Sequence, residues 1–105
     1  MVIKVYFSSV TGIPEVNSRQ KLLYSILETK QIKYAIVDVS QDSNKDEKEY
    51  MIKYATQSGG TKSQPNPEVP FTPQIFNDGV YCGDYNSFEV ANELGTLKEF
   101  LKING

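Results

Sequence analysis

The residue types best suited to chemistry in this 105-residue chain are few, and they point mainly to what it does not do. Cys82 is the single cysteine, and there is no histidine. One thiol cannot form an intramolecular disulfide, which fits a reducing compartment. The missing imidazole removes the commonest general base and the commonest metal ligand. Hydroxyls cluster in Ser8-Ser9-Val10-Thr11-Gly12-Ile13-Pro14-Glu15, at the junction of a first strand and a first helix. An unassisted hydroxyl is a poor nucleophile, and no histidine exists to activate these. The expectation is that Ser8, Ser9 and Thr11 satisfy amides of the loop and helix end, with ligand contact by Thr11 the alternative. Cys82 lies at a predicted strand end with Asp84 nearby, a neighbour expected to raise its pKa and leave it unreactive. Neither cofactor nor metal is expected.

The elements that must position these residues follow from periodicity. Val2–Phe7 is rich in β-branched and aromatic residues and reads as a strand apolar on both faces, hence central. Pro14 suits the first position of a helix in which Val16, Leu22, Leu23, Ile26 and Leu27 recur at helical spacing up to about Lys30. Residues 32–39 return to strand character. Asp42 or Ser43 is expected to cap a second helix running through Ala55, stopped by Gly59-Gly60. Residues 61–72 form a polar, proline-bearing connection that is either a functional loop or a mobile one, and residues 61–70 are expected to be the most mobile interior segment for want of apolar anchors. Residues 73–76, the turn Asn77-Asp78-Gly79 and residues 80–82 read as a hairpin. Asp84 can cap a third helix closed by Gly95, and Thr96-Leu97-Lys98-Glu99 is a capping-box pattern for a short last one. The length suits one domain, residues 1–105.

The order βαβα, then hairpin, then helix, with Thr72-Pro73 entering the third strand and Gly83 after the fourth, resembles a thioredoxin fold of glutaredoxin type: a four-stranded mixed sheet with helices on both faces. "VYFSSVTG", "VDVSQD", "PQIFNDGVYCGDY" and "TLKEFLK" together resemble the SH3-domain-binding glutamic-acid-rich-like proteins over nearly the whole chain outside residues 59–70. The resemblance implies a small cytoplasmic protein of scaffolding or modulatory type without the redox cysteine pair. In glutaredoxins the first strand–helix junction carries Cys-x-x-Cys or Cys-x-x-Ser, where unpaired amides and the helix dipole stabilise a thiolate. Residues 10–14 contain no sulfur. The same resemblance implies a cis peptide at Thr72-Pro73, with backbone free to pair with a peptide-like ligand. It also places Gly83 and Asp84 where glutaredoxins grip glutathione. Asp84 replaces a second glycine and brings a negative charge toward an expected carboxylate, so glutathione is expected to bind at most weakly, while capping is the favoured role of Asp84.

Pro67-Glu68-Val69-Pro70 and Pro70-Phe71-Thr72-Pro73 both fit P-x-x-P, the minimal ligand of SH3 domains. A cis Pro73 leading into a strand would bar the second from a polyproline helix. The net charge of −2, without a basic stripe, argues against nucleic acid. No segment reaches the ~20 apolar residues of a membrane span. The leading expectation is a non-catalytic protein-interaction module using the cis-proline cleft and the 61–72 loop. A thiol- or glutathione-dependent oxidoreductase acting through Cys82 and a weak glutathione-binding module are the alternatives.

Overall fold

Strand alternation explains how one short strand organises both halves of the molecule. In a computed structural model describing Val2–Ile103, β1 (Ile3–Phe7) is flanked by β2 (Tyr34–Asp38) in parallel and β3 (Gln74–Asn77) antiparallel. Strand β4 (Val80–Asp84) pairs antiparallel with β3, for a sheet order β2-β1-β3-β4. Because successive side chains point to opposite faces, Ile3 and Val5 join Ile75 on one side, while Tyr6 and Phe76 lie on the other. The first side is covered by α1 (Pro14–Thr29), α3 (Tyr85–Leu94) and α4 (Leu97–Phe100); the second by α2 (Lys45–Tyr54). Strand β1 is central as expected, but its α2 face is not wholly apolar. Lys4 lies there, its Nζ 3.2 Å from Glu47 Oε2, and the Tyr6 hydroxyl donates to the same oxygen at 2.9 Å.

Pro14 opens α1, whose buried stripe is Val16, Gln20, Leu23 and Leu27, whereas Leu22 faces outward. A helical turn at Asp42–Asn44 precedes α2, and neither Asp42 nor Ser43 caps it. Instead Asn44 Nδ2 donates to Asp38 O, fastening the turn to β2. Helix α2 ends at Tyr54, short of Gly59-Gly60, because Ala55 is extended. The β3–β4 turn carries positive φ at Asp78 and Gly79, as a tight hairpin requires. Between Ile75↔Gly83 and Phe76↔Tyr81 the register slips, making Cys82 the extra residue of a bulge. Asp84 caps α3 by accepting from Ser87 N, and Gly95 closes it in the left-handed region. Thr96 forms no cap on α4; its hydroxyl turns back toward Ala91 O, while Asn77 Nδ2 holds the helix end through Leu101 O.

Candidate functional site

The end of β1 meets the entry to β3 at a cleft of about 250 Å³. Val16, Val39 and Met51, all buried, give it an apolar floor, and Val10 and Val69, 78% and 47% exposed, form its lip. Thr11, Pro70, Phe71 and Thr72 line it too, and Lys48 is its one charged lining residue. The Thr72–Pro73 peptide is cis. Among the described residues neither the backbone N–H nor the C=O of Thr72 has a hydrogen-bond partner. Thr11 Oγ1 accepts from Ile13 N at 3.2 Å, shaping the turn into α1.

Gln20 joins the cleft's two walls. Only 5% exposed, it accepts through Oε1 from Ser8 N at 2.9 Å and from Thr72 Oγ1 at 2.6 Å, and it donates through Nε2 to Ser8 O at 3.0 Å. Sequence reasoning missed it, although a glutamine on the stripe of Val16, Leu23 and Leu27 is a legible signal: a buried polar group at a helical core position must find partners. Lys48 and Val10 were also missed, for nothing local shows that α2 and the 8–13 loop converge.

The two ends of the connection before β3 are held by polar groups. Arg19 donates from Nη1 to Gly59 O at 3.0 Å and from Nη2 to Gly60 O at 3.1 Å and Glu15 Oε2 at 2.9 Å. Gln74 Nε2 donates to Gln57 O and Phe71 O, and Thr61 is buried with its Oγ1 accepting from Gln64 N. Within the two P-x-x-P motifs Pro67, Pro70 and Phe71 are half-buried, Thr72 and Pro73 are buried, and the chain bends at Glu68–Val69.

Pro67, Pro73, Gly83 and Asp84 are not among the residues lining the cleft. Gly83 is structural: at φ +155° its missing side chain leaves room for the Phe100 ring. Asp84 takes the capping role favoured for it. Its Oδ1 accepts from Ser87 N and its Oδ2 from Gly59 N, so one carboxylate caps α3 and secures the loop. Cys82 also lies away from the cleft, packed against the α1/α3/α4 core. Burial pushes its thiol up to about 11, with Lys102 opposing weakly. The expected reason, Asp84, is not the cause; desolvation is.

Where β1 and β2 end, Ser9 and Ser40 hydroxyls both donate to Asp38, as do their amides. Burial disfavours that carboxylate, but the bonds from Ser40 and Ser9 outweigh it and hold Asp38 below the usual carboxylate range. Ser9 thus serves an acid rather than the helix amides expected of it.

The sheet order, the disposition of helices and the cis-proline beside the end of β1 define a thioredoxin fold of glutaredoxin type. Solved structures of the same fold include the actin interacting protein Aip5 of C. albicans, with TM-score 0.65 and 24% identity over 94% of this chain and 86% of that one. A buckwheat glutaredoxin in complex with glutathione matches with TM-score 0.60 and 15% identity over 95% of this chain and 76% of that one. In sequence, the profile of the family described as SH3-binding, glutamic acid-rich protein matches residues 1–104. The SH3 domain-binding glutamic acid-rich protein homolog of Drosophila melanogaster is 48% identical over 103 residues. The chain belongs to the SH3-binding, glutamic acid-rich protein family. The match takes in 98% of this chain and 65% of the length of the Drosophila relative.

Proposed function

We propose that the chain is a non-catalytic protein-interaction module that receives an extended peptide segment in the cleft between Thr11 and Thr72. The observation that carries this reading is the pairing of an apolar floor and exposed lip with an unpartnered Thr72 backbone: side-chain burial and main-chain pairing are the two things an extended peptide needs. Thr11, Pro70, Phe71 and Thr72 are the contact residues of this reading; Pro73, Gly83 and Asp84 shape the scaffold beneath them. The lack of a catalytic thiol is supported by the sulfur-free residues 10–14 and by the position of Cys82 outside the cleft lining. Glutathione, with no cysteine there to hold it as a mixed disulfide, is expected to bind no better than about millimolar, roughly −4 kcal/mol. The proposed place of action is the cytoplasm, in keeping with a cysteine that has no disulfide partner within the chain.

Affinity capture from cell extract with the wild type and with Val10→Asp tests the site. Val10 is an exposed lip residue, so the variant should fold normally while losing the proteins retained by the wild type. Equal capture by both would move the interaction off the cleft. SH3 recognition, named in the family's description, is a second reading supported by one segment. Pro67-Glu68-Val69-Pro70 retains partly accessible prolines but would have to straighten at Glu68–Val69, whereas the 70–73 motif ends in a buried cis-proline. A purified SH3 domain titrated against the wild type and Pro67→Ala separates this reading from the first.

A further inference from the structure

The charge of the cleft narrows what can fill it. Lys48 is its one charged lining residue, and Lys48 and Val39 also line an adjoining cavity of about 280 Å³, where Lys45 adds a second cation and Asp42 the one acid. Among the described residues neither Lys45 nor Lys48 has a salt-bridge partner, whereas Lys4 and Arg19 are paired with Glu47 and Glu15. The lining of that cavity thus holds two lysines to one acid, and Glu47, beside Lys48 in sequence, is held by Lys4 and Tyr6. The groove running from Thr72 past Val39 to Lys45 therefore has an apolar floor with a net positive far end.

The spacing of the two lysines suits an extended chain. Residues three apart on a helix lie about 5–6 Å apart, close to the roughly 6.6 Å between alternate side chains of a strand. We propose that the cleft takes an extended acidic protein segment whose main chain pairs with Thr72 and whose carboxylates, two residues apart, meet Lys48 and Lys45. The inference rests on the peptide-binding reading given above and adds the chemistry of the partner.

The test is a titration of the full chain, followed by amide shifts, with three blocked peptides: acetyl-TVEVEVT-amide, its analogue with both glutamates replaced by glutamine, and the analogue with both replaced by lysine. Glutathione forms a fourth arm. The acidic peptide should shift the amides of Thr11, Thr72 and Lys48 and bind about fivefold more tightly than the glutamine analogue, as two exposed ion pairs allow. The lysine analogue should be weakest. Lys48→Gln should shrink the acidic preference, Lys48→Arg should keep it, and added salt should narrow it. Equal binding of the acidic and glutamine peptides at those amides would overturn the acidic preference while leaving the cleft a peptide site. No shift at those amides with any peptide would overturn both. Glutathione saturating the same amides more tightly than the acidic peptide would assign the cleft to a small thiol tripeptide and overturn the proposal.

Discussion

Replacing Gln20 with leucine keeps an apolar stem in the core and removes the side-chain bonds that link Ser8, just after β1, to Thr72, just before β3. Three groups lose their partner: Ser8 N–H, Ser8 C=O and the Thr72 hydroxyl. An unsatisfied buried polar group costs about 1–3 kcal/mol. Thr72 is buried and bears that in full, while half-buried Ser8 recovers part through water. Taking about 2 kcal/mol for the hydroxyl and about 1 for each Ser8 group, less about 1 for the extra apolar burial, gives a net loss of about 3 kcal/mol. For a domain of this size that lowers Tm by roughly 12–24 °C. Urea unfolding followed by circular dichroism measures the loss. Thr72→Val should cost less in the Gln20→Leu background than alone, because the two residues share one bond. A loss below about 1 kcal/mol, with additive effects of the two substitutions, would refute the role given to Gln20.

Gly83→Ala would set a Cβ 2.7 Å from the Phe100 ring and 2.9 Å from Gln57 Oε1 at φ +155°, so a loss of about 3 kcal/mol or more in urea is expected. Asp84→Ala removes the α3 cap and the acceptor for Gly59 N; it should cost about 1–2 kcal/mol and speed amide exchange at Gly59, and protection there equal to wild type would contradict the anchoring. Asp38 has a folded pKa below its unfolded value, with the bonds from Ser40 and Ser9 outweighing burial. Its stabilisation is therefore present above about pH 4 and fades as pH falls further toward the folded pKa. The Tm advantage of wild type over Asp38→Asn should be full at pH 7 and narrow below about pH 4, whereas a constant gap down to pH 3 would be the wrong result. Cys82, pushed up to about 11 by burial, should alkylate with iodoacetamide at neutral pH about a hundredfold more slowly than a free cysteine, since two pKa units mean that much less thiolate.

What was legible in the sequence is what is local. The Asp78-Gly79 turn, the Asp84 cap with its partner three residues on and the Gly95 stop depend on neighbours within one turn of chain, and all three form. The cap expected at Asp42 or Ser43 does not, because the helical turn at Asp42–Asn44 is drawn to Asp38 O through Asn44, a tertiary bond that competes with capping. Leu22 reads as core by spacing but faces solvent, since it lies about 100° round the helix from Leu23 and so off the stripe of Val16, Gln20, Leu23 and Leu27. At the site, Thr11 and Thr72 both line the cleft, and the cap made by Asp84 was legible while its second bond, from Gly59 N 25 residues away in sequence, was not. The clamp of Arg19 on Gly59 and Gly60 and the convergence of Lys48 with Val10 are long-range arrangements that no periodicity encodes.

Turnover of a small glutathione mixed disulfide, coupled to glutathione reductase and run beside an authentic glutaredoxin, tests the non-catalytic reading most directly. A thiol in this fold attacks as a thiolate stabilised at the start of α1, where residues 10–14 hold none. Wild type and Cys82→Ser should both be indistinguishable from buffer. Turnover comparable to the control and abolished by Cys82→Ser would contradict that reading and make the chain a thiol oxidoreductase.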